Sequence, residues 1–301
     1  MQLIAMVGCG RSGSTLIEGL LQDHFDICSL GEVSYIWERG RLKDELCGCG
    51  KPFSQCDYWQ PVLKDAFGEV SEADARHFDA AFSTARGKVL EIPLTMGKMP
   101  AADPLFADVA KALYRSAHKI GGGRPLIDSS KVPRFAASLQ AAGVAAVGAL
   151  HVFRDACGNV YSLRTPKSRP QANSTGDAQI GRSKSVLHAI ARWKLRNLQS
   201  QKFLSHADGP TAIICYEAFC RDPEPHLSHI AQTFGFHTRQ RNSPALWHSV
   251  SGNPMRFSND KLDIRLDERW RTSMSAFDKA ITRLLSSAQQ SRMVGAAFHG
   301  V

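Results

Sequence analysis

Short, mostly apolar runs alternate along this chain with longer stretches whose apolar positions recur at helical spacing. Leu3 to Val7, Leu126-Ile127, Ala146 to Phe153 and Thr211 to Cys215 are strand-length runs without polar alternation, as expected of strands buried on both faces. Between them, Phe78, Ala81, Phe82 and Ala85 follow an i, i+3, i+4, i+7 pattern, and Val109, Ala110, Leu113 and Tyr114 form a similar stripe. Further helices are predicted over Thr15 to Gln22, Arg134 to Ala142, Ser185 to His206, around Leu227 to Phe234, and over Ser275 to Gln290. Strands alternating with helices predict an α/β fold: three layers, α/β/α, with a central, mainly parallel sheet. One domain is expected over residues 1–301, with helical and loop insertions at about 32–120 and 165–184.

Composition narrows this picture only a little. With 43% hydrophobic and 22% charged residues the chain is an ordinary globular one, which excludes a disordered reading. The net charge of +9 favours an anionic ligand without choosing between nucleotide, nucleic acid and acidic surface. No recognised nucleic-acid motif and no basic stripe with interleaved aromatics is present, so no nucleic acid is expected as partner. No apolar run approaches the ~18–20 residues of a membrane span. Met1 leads almost directly into the first strand, so no signal peptide and a cytoplasmic location are expected.

The chemistry gathers where strands end. Gly8-Cys9-Gly10-Arg11-Ser12-Gly13-Ser14-Thr15 follows the first strand and opens the first helix. Its glycines allow a tight turn, and the helix start offers free N–H groups to an anion. The spacing nearly writes the nucleotide phosphate loop, but Ser14 stands where that motif has lysine, and Arg11 sits inside the loop. The next strand ends in Asp128-Ser129-Ser130-Lys131, and the one after it in Arg154-Asp155. Asp155 reads as an N-cap, and Arg154 with Ser162 as a second anion site. Ligands in open α/β sheets bind beyond the carboxyl ends of the strands. Glu32 follows a short extended segment and would face the same edge. Cys47, Cys49 and Cys56 are dense enough to hold zinc, with His24 or Cys28 as fourth ligand. One pair could instead form a disulfide, against which a cytosolic location argues, or the three could remain free, buried thiols in a glycine-rich loop.

These residues carry a family resemblance. Gly10 to Thr15 resembles the 5′-phosphosulfate loop of sulfotransferases that use 3′-phosphoadenosine 5′-phosphosulfate (PAPS). Val152-Phe153-Arg154-Asp155 through Ser162 resembles their 3′-phosphate motif. Ser130-Lys131 and the position of Glu32 resemble the tyrosylprotein enzymes, and Tyr216-Glu217 resembles the family's Tyr-Glu turn. The Cys47–Trp59 insert and Gly252 to Arg256 are similar to segments of bacterial members. The resemblance implies a P-loop-like architecture, PAPS as co-substrate, no metal, and a hydroxyl acceptor that is a small molecule, carbohydrate or lipid. It implies nucleotide binding by Gly10, Arg11, Ser12, Gly13, Ser14, Thr15, Arg154, Ser162, Tyr216 and Arg256. Arg11, Glu32 and Lys131 would be catalytic, with His24 or His118 as other candidates for the base. Residues 40–60, 89–104 and 165–184 could line the acceptor pocket. The alternative is a P-loop kinase or NTPase in which Asp128 is the acidic metal-binding residue. Oligomeric state is not indicated.

Overall fold

The computed structural model describes residues 1–87, 93–168, 179–180, 185–239, 248–253, 257 and 264–298. A five-stranded parallel sheet forms the centre, in the order β2-β3-β1-β4-β7. Its strands are β1 (Leu3–Val7), β2 (Cys28–Gly31), β3 (Leu126–Asp128), β4 (Val147–Phe153) and β7 (Thr211–Cys215). Between β4 and β7 lies a small antiparallel pair, β5 (Lys167–Ser168) and β6 (Gln179–Ile180). The apolar runs end up as strands because both faces of the sheet are covered. Leu3, Ala5 and Val7 of β1 join a core with α2 (Trp59–Phe67), α3 (Glu72–Arg86), α4 (Pro104–Ile120) and α5 (Pro133–Ala141). Ile4 and Met6, pointing the other way, pack with α1 (Ser14–His24), α8 (Tyr216–Arg221) and α9 (Pro223–Phe234). A third core joins α6 (Ala156–Arg164), α7 (Val186–Leu204), α10 (Trp270–Ser273) and α11 (Ala276–Ala296). The three-layer α/β/α expectation therefore holds, with every strand of the main sheet parallel.

Helix boundaries follow local chemistry. The Ser71 hydroxyl and Asp74 carboxylate cap α3 reciprocally, and Asp103 caps α4 ahead of Pro104. The last helix runs to Ala296 rather than ending at Gln290, because Met293 is fully buried in the third core and no Gly or Pro stops the chain before it. In the 32–120 insertion a short 3₁₀ turn (Val33–Tyr35) and a π-helical turn (Ile36–Leu42) precede α2. Trp37 meets Phe67, Phe78 and Phe82 edge-on there, which ties that turn to α2 and α3. No helix among the described residues is long and apolar enough to cross a membrane.

Strand order also locates a crevice. The chain leaves β1 towards the β2 edge and leaves β4 towards the β7 edge. Adjacent strands whose connections diverge open a cleft at their carboxyl ends. One buried group next to this cleft has a measurable signature. His151 of β4 is fully buried, with Nε2 3.0 Å from Asn197 Oδ1. Burial pushes its imidazole down from 6.5 to about 4. The folded chain therefore favours neutral imidazole, a contribution present above the unfolded value and lost as pH falls towards the folded one. Urea titrations should show a loss of about 2 kcal/mol from this group between pH 7 and pH 5. His151→Gln should flatten that slope; an unchanged slope would remove His151 as its source.

Candidate active site

The loop after β1 is shaped by what its glycines avoid. Gly8 has φ +143°, and a Cβ there would come within 2.3 Å of the Val152 carbonyl oxygen on β4. Gly13 has φ +85°, and a Cβ there would meet the Tyr216 ring at 2.2 Å. Helix α1 then starts at Ser14, its N-cap being Gly13 in the left-handed region. Between the two glycines Arg11 also adopts positive φ, +74°. From the second strand-end turn Lys131 does the same, at +60°, with its N–H donated to the Met6 carbonyl at 3.1 Å. Two cations are thus projected into the cleft by backbone conformations that L-residues rarely adopt.

Gly10, Arg11, Gly13, Ser14, Thr15, Glu32, Lys131, Arg154, Ser162 and Tyr216 line one cavity of about 880 Å³. Glu32 follows β2 and is largely buried. Lys131 Nζ donates to its Oε1 at 2.6 Å, Arg39 lies 3.5 Å from Oε2, and the Ser251 hydroxyl is 3.3 Å from Oε2. Ser251 comes from a segment laid along β2: Val250 N–H donates to Leu30 O at 2.9 Å, and Glu32 N–H to Val250 O at 2.7 Å. Beyond β4, Asp155 caps α6 by accepting from Gly158 N–H at 3.1 Å. Arg154 lies 4.8 Å over the Tyr216 ring and donates to the Asp267 carbonyl at 2.5 Å. Its Nε is buried without a hydrogen-bond partner, 3.9 Å from Glu217.

The lining is strongly cationic. Among the described residues, nine Arg or Lys (Arg11, Arg39, Arg86, Lys131, Arg154, Arg192, Arg196, Arg265 and Arg269) line the cavity against three carboxylates, Glu32, Asp267 and Glu268. Burial and then the neighbouring Arg192 hold the Arg11 guanidinium below its ordinary value, with Glu32 opposing. Crowding like charges in a half-enclosed space costs free energy that a bound anion relieves.

Several expectations need correction or qualification. Ser12 is buried behind the loop, its hydroxyl accepting from Asn159 Nδ2 at 3.0 Å, and it braces the loop rather than lining the cavity. Arg256 lies outside the described residues. His24 Nδ1 faces the Leu20 carbonyl at 2.7 Å and His118 Nδ1 that of Arg124 at 2.9 Å; neither lines the cavity. No described residue of 40–60, 89–104 or 165–184 lines it either; Tyr35, Arg39, Ser83, Arg86 and Gly87 form that wall. The cysteines Cys47, Cys49 and Cys56 are free of disulfides, and the group beside them is His248, not His24 or Cys28. Cys28 instead faces the Tyr58 hydroxyl at 3.3 Å.

Sequence reasoning missed Arg39, Arg86, Arg192 and Arg196. Arg192 and Arg196 stand four apart, on one face of α7, which is the only local signal they carried. Arg39 and Arg86 lie 4.1 and 4.5 Å from the Tyr35 ring centroid, a meeting between distant segments. A scan against protein-family models finds no family that matches this chain, and a search of curated proteins finds no match.

The loop geometry makes a paired prediction. Gly13→Ala should lower stability by about 1–3 kcal/mol, since both its φ and the Tyr216 ring oppose a methyl group. Gly10→Ala, where no heavy atom lies within 4 Å of the added Cβ, should stay within about 0.5 kcal/mol of the parent. Equal thermal shifts for the two variants would contradict this account of the turn.

Proposed function

We propose that this chain is a sulfotransferase that moves the sulfuryl group of PAPS to an acceptor hydroxyl. The observation that carries the reading is the sharing of one cavity by two sets of anion-compatible groups. One set is the Gly10–Thr15 loop with Arg11 and Lys131; the other is Arg154 with Ser162. A nucleotide bearing charge at both its 5′ and 3′ positions needs two such sets, whereas a simple triphosphate needs one. The side chains fit an anionic nucleotide: the Arg154 and Arg192 Nε groups are buried donors without hydrogen-bond partners among the described residues, Arg154 Nε lying 3.9 Å from Glu217. The resemblance of both segments to the sulfotransferase motifs points the same way.

The nucleotide would supply the activated sulfuryl group, and the protein's part is positioning and charge balance. Arg11 and Lys131 offset negative charge at the loop. Glu32 takes the proton of the acceptor hydroxyl as general base. Lys131 donates to one Glu32 oxygen, so an anion that draws Lys131 away would release that oxygen for proton transfer. Tyr35, Arg39 and Arg86 form the wall beside Glu32 and would meet the acceptor.

The kinase or NTPase reading is less well supported. It asks Asp128 to hold a metal, yet Asp128 is only 2% exposed. One of its oxygens accepts from the Tyr114 hydroxyl and the other from the Ser130 N–H at 2.7 Å. Burial pushes its carboxyl up to about 6, which further disfavours the anionic form.

Two variants separate the roles. Glu32→Gln should lower kcat for sulfuryl transfer by about 10²–10⁴-fold with little change in nucleotide affinity. Retained kcat would dismiss Glu32 as the base. Arg154→Ala should weaken adenosine 3′,5′-bisphosphate about 10–100-fold by calorimetry, as the loss of a charge-assisted contact does. Unaltered titrations would sink the 3′-phosphate assignment, and magnesium-dependent ATP turnover without PAPS turnover would replace the whole reading.

A further inference from the structure

Away from the cavity, a second constellation is built from two parts of the chain 192 residues apart. Cys47, Cys49, Cys56 and His248 bring their ligand atoms within 4.8 Å of one another. Cys56 Sγ is 3.4 Å from Cys47 Sγ, 3.9 Å from Cys49 Sγ and 3.3 Å from His248 Nδ1. A tetrahedral zinc site with Zn–S of about 2.3 Å and Zn–N of about 2.0–2.1 Å requires S–S edges of about 3.8 Å and S–N edges of about 3.5 Å. The two S–S spacings straddle the first value, the one S–N spacing falls about 0.2 Å short of the second, and the sulfurs are far beyond the roughly 2.05 Å of a disulfide.

The surroundings hold these donors in place. Cys47 N–H donates to Lys51 O and Gly50 N–H to Cys47 O, both at 2.9 Å, closing a tight turn. Gly50 takes φ +82° there. Cys56 follows a 3₁₀ turn (Phe53–Gln55) and receives the Trp59 N–H on sulfur at 3.5 Å. The His248 ring stacks on Tyr58 at 5.2 Å and 17°, and its carbonyl accepts from the Trp59 indole N–H. Cys47 and Cys56 are buried. Three soft thiolates and one imidazole in a closed tetrahedron suit zinc and leave no open coordination position, the signature of a structural site.

We propose that Cys47, Cys49, Cys56 and His248 bind one zinc ion, which pins the 248–253 segment to the wall that carries Glu32. The link is short. Gly48 N–H donates to Ser249 O at 2.9 Å, Val250 pairs with Gly31, and Ser251 reaches the Glu32 carboxylate. Zinc here is a support for the cavity and takes no part in transfer. It displaces the thiol protons to solvent as it binds, so its affinity falls in acid.

Metal content decides this without any nucleotide. Full-length protein from zinc-supplemented culture should carry about one zinc per chain by elemental analysis. Cobalt(II) exchanged into the chelated, reduced protein should give the visible bands and thiolate charge-transfer of a tetrahedral thiolate site. His248→Ala and Cys56→Ser should each fall below about 0.1 zinc per chain, while Cys220→Ser, outside the cluster, keeps its metal. Because those variants could unfold, wild-type protein is also treated with a thiol-modifying reagent, which should release zinc as three cysteines react. Hydrogen exchange of residues 248–253 should rise after chelation, with β4 unchanged. Reduced, folded wild-type protein that takes up neither zinc nor cobalt would overturn the proposal. So would a disulfide between any two of the three cysteines in freshly isolated protein, or iron or copper at one per chain. Loss of PAPS turnover with zinc retained would count against the functional reading alone.

Discussion

The carboxyl ends of β1 and β4 lie side by side in register, and the turn that follows β1 passes close over β4 because Gly8 has no side chain. A methyl group there would strike the Val152 carbonyl oxygen at 2.3 Å. That close approach lets the β1 loop and the start of α6 share one cleft. Asn159 completes the join, donating to Gly10 O and to Ser12 Oγ at 3.0 Å each. Gly13 against Tyr216 fastens the same loop to the β7 side. The ends of β1, β4 and β7 are thereby drawn to one edge, and the charges beside them are brought together by backbone packing.

Such an arrangement works against itself electrostatically. Arg11, Arg192 and Arg196 gather with Lys131 in a space where water is partly excluded, and like charges in lower dielectric repel more strongly. The fold offsets this with a few carboxylates placed against individual cations. Glu32 holds Lys131 and Arg39, Asp267 and Glu217 face Arg154, and Asp267 is in turn held ionised by Arg269. These pairs offset the crowding of cations, while the Nε atoms of Arg154 and Arg192 make no hydrogen bond among the described residues.

What was legible in the sequence was whatever lay close to a strand end. β1, β3 and β4 could be read because strands buried on both faces are mostly apolar, and the turn after each follows at once; β7 was legible from its apolar run although only Ala212 and Ile214 are buried and its other face is half-exposed. Lys131 and Arg154 were found for that reason, and Glu32 because β2 is short and returns to the same edge. Arg39 and Arg86 were invisible because their meeting on Tyr35 depends on packing a π-helical turn against α3. His248 was missed because its partner cysteines lie almost two hundred positions earlier, and no periodicity spans that distance. Ser12 is the opposite case. A hydroxyl inside a glycine-rich loop looks like a ligand group, and only the position of Asn159 reveals that it faces the core.

Arg11, Lys131 and Ser251 share one further property: all three are non-glycine residues at positive φ, at +74°, +60° and +54°. Each conformation costs on the order of 1 kcal/mol relative to what glycine would pay. Two of these side chains line the cavity, and the third touches the carboxylate that does. Selection for thermal resistance alone would erode all three towards glycine or asparagine. A thermostabilised descendant of this chain that keeps its cleft must therefore draw its added stability from other parts of the fold.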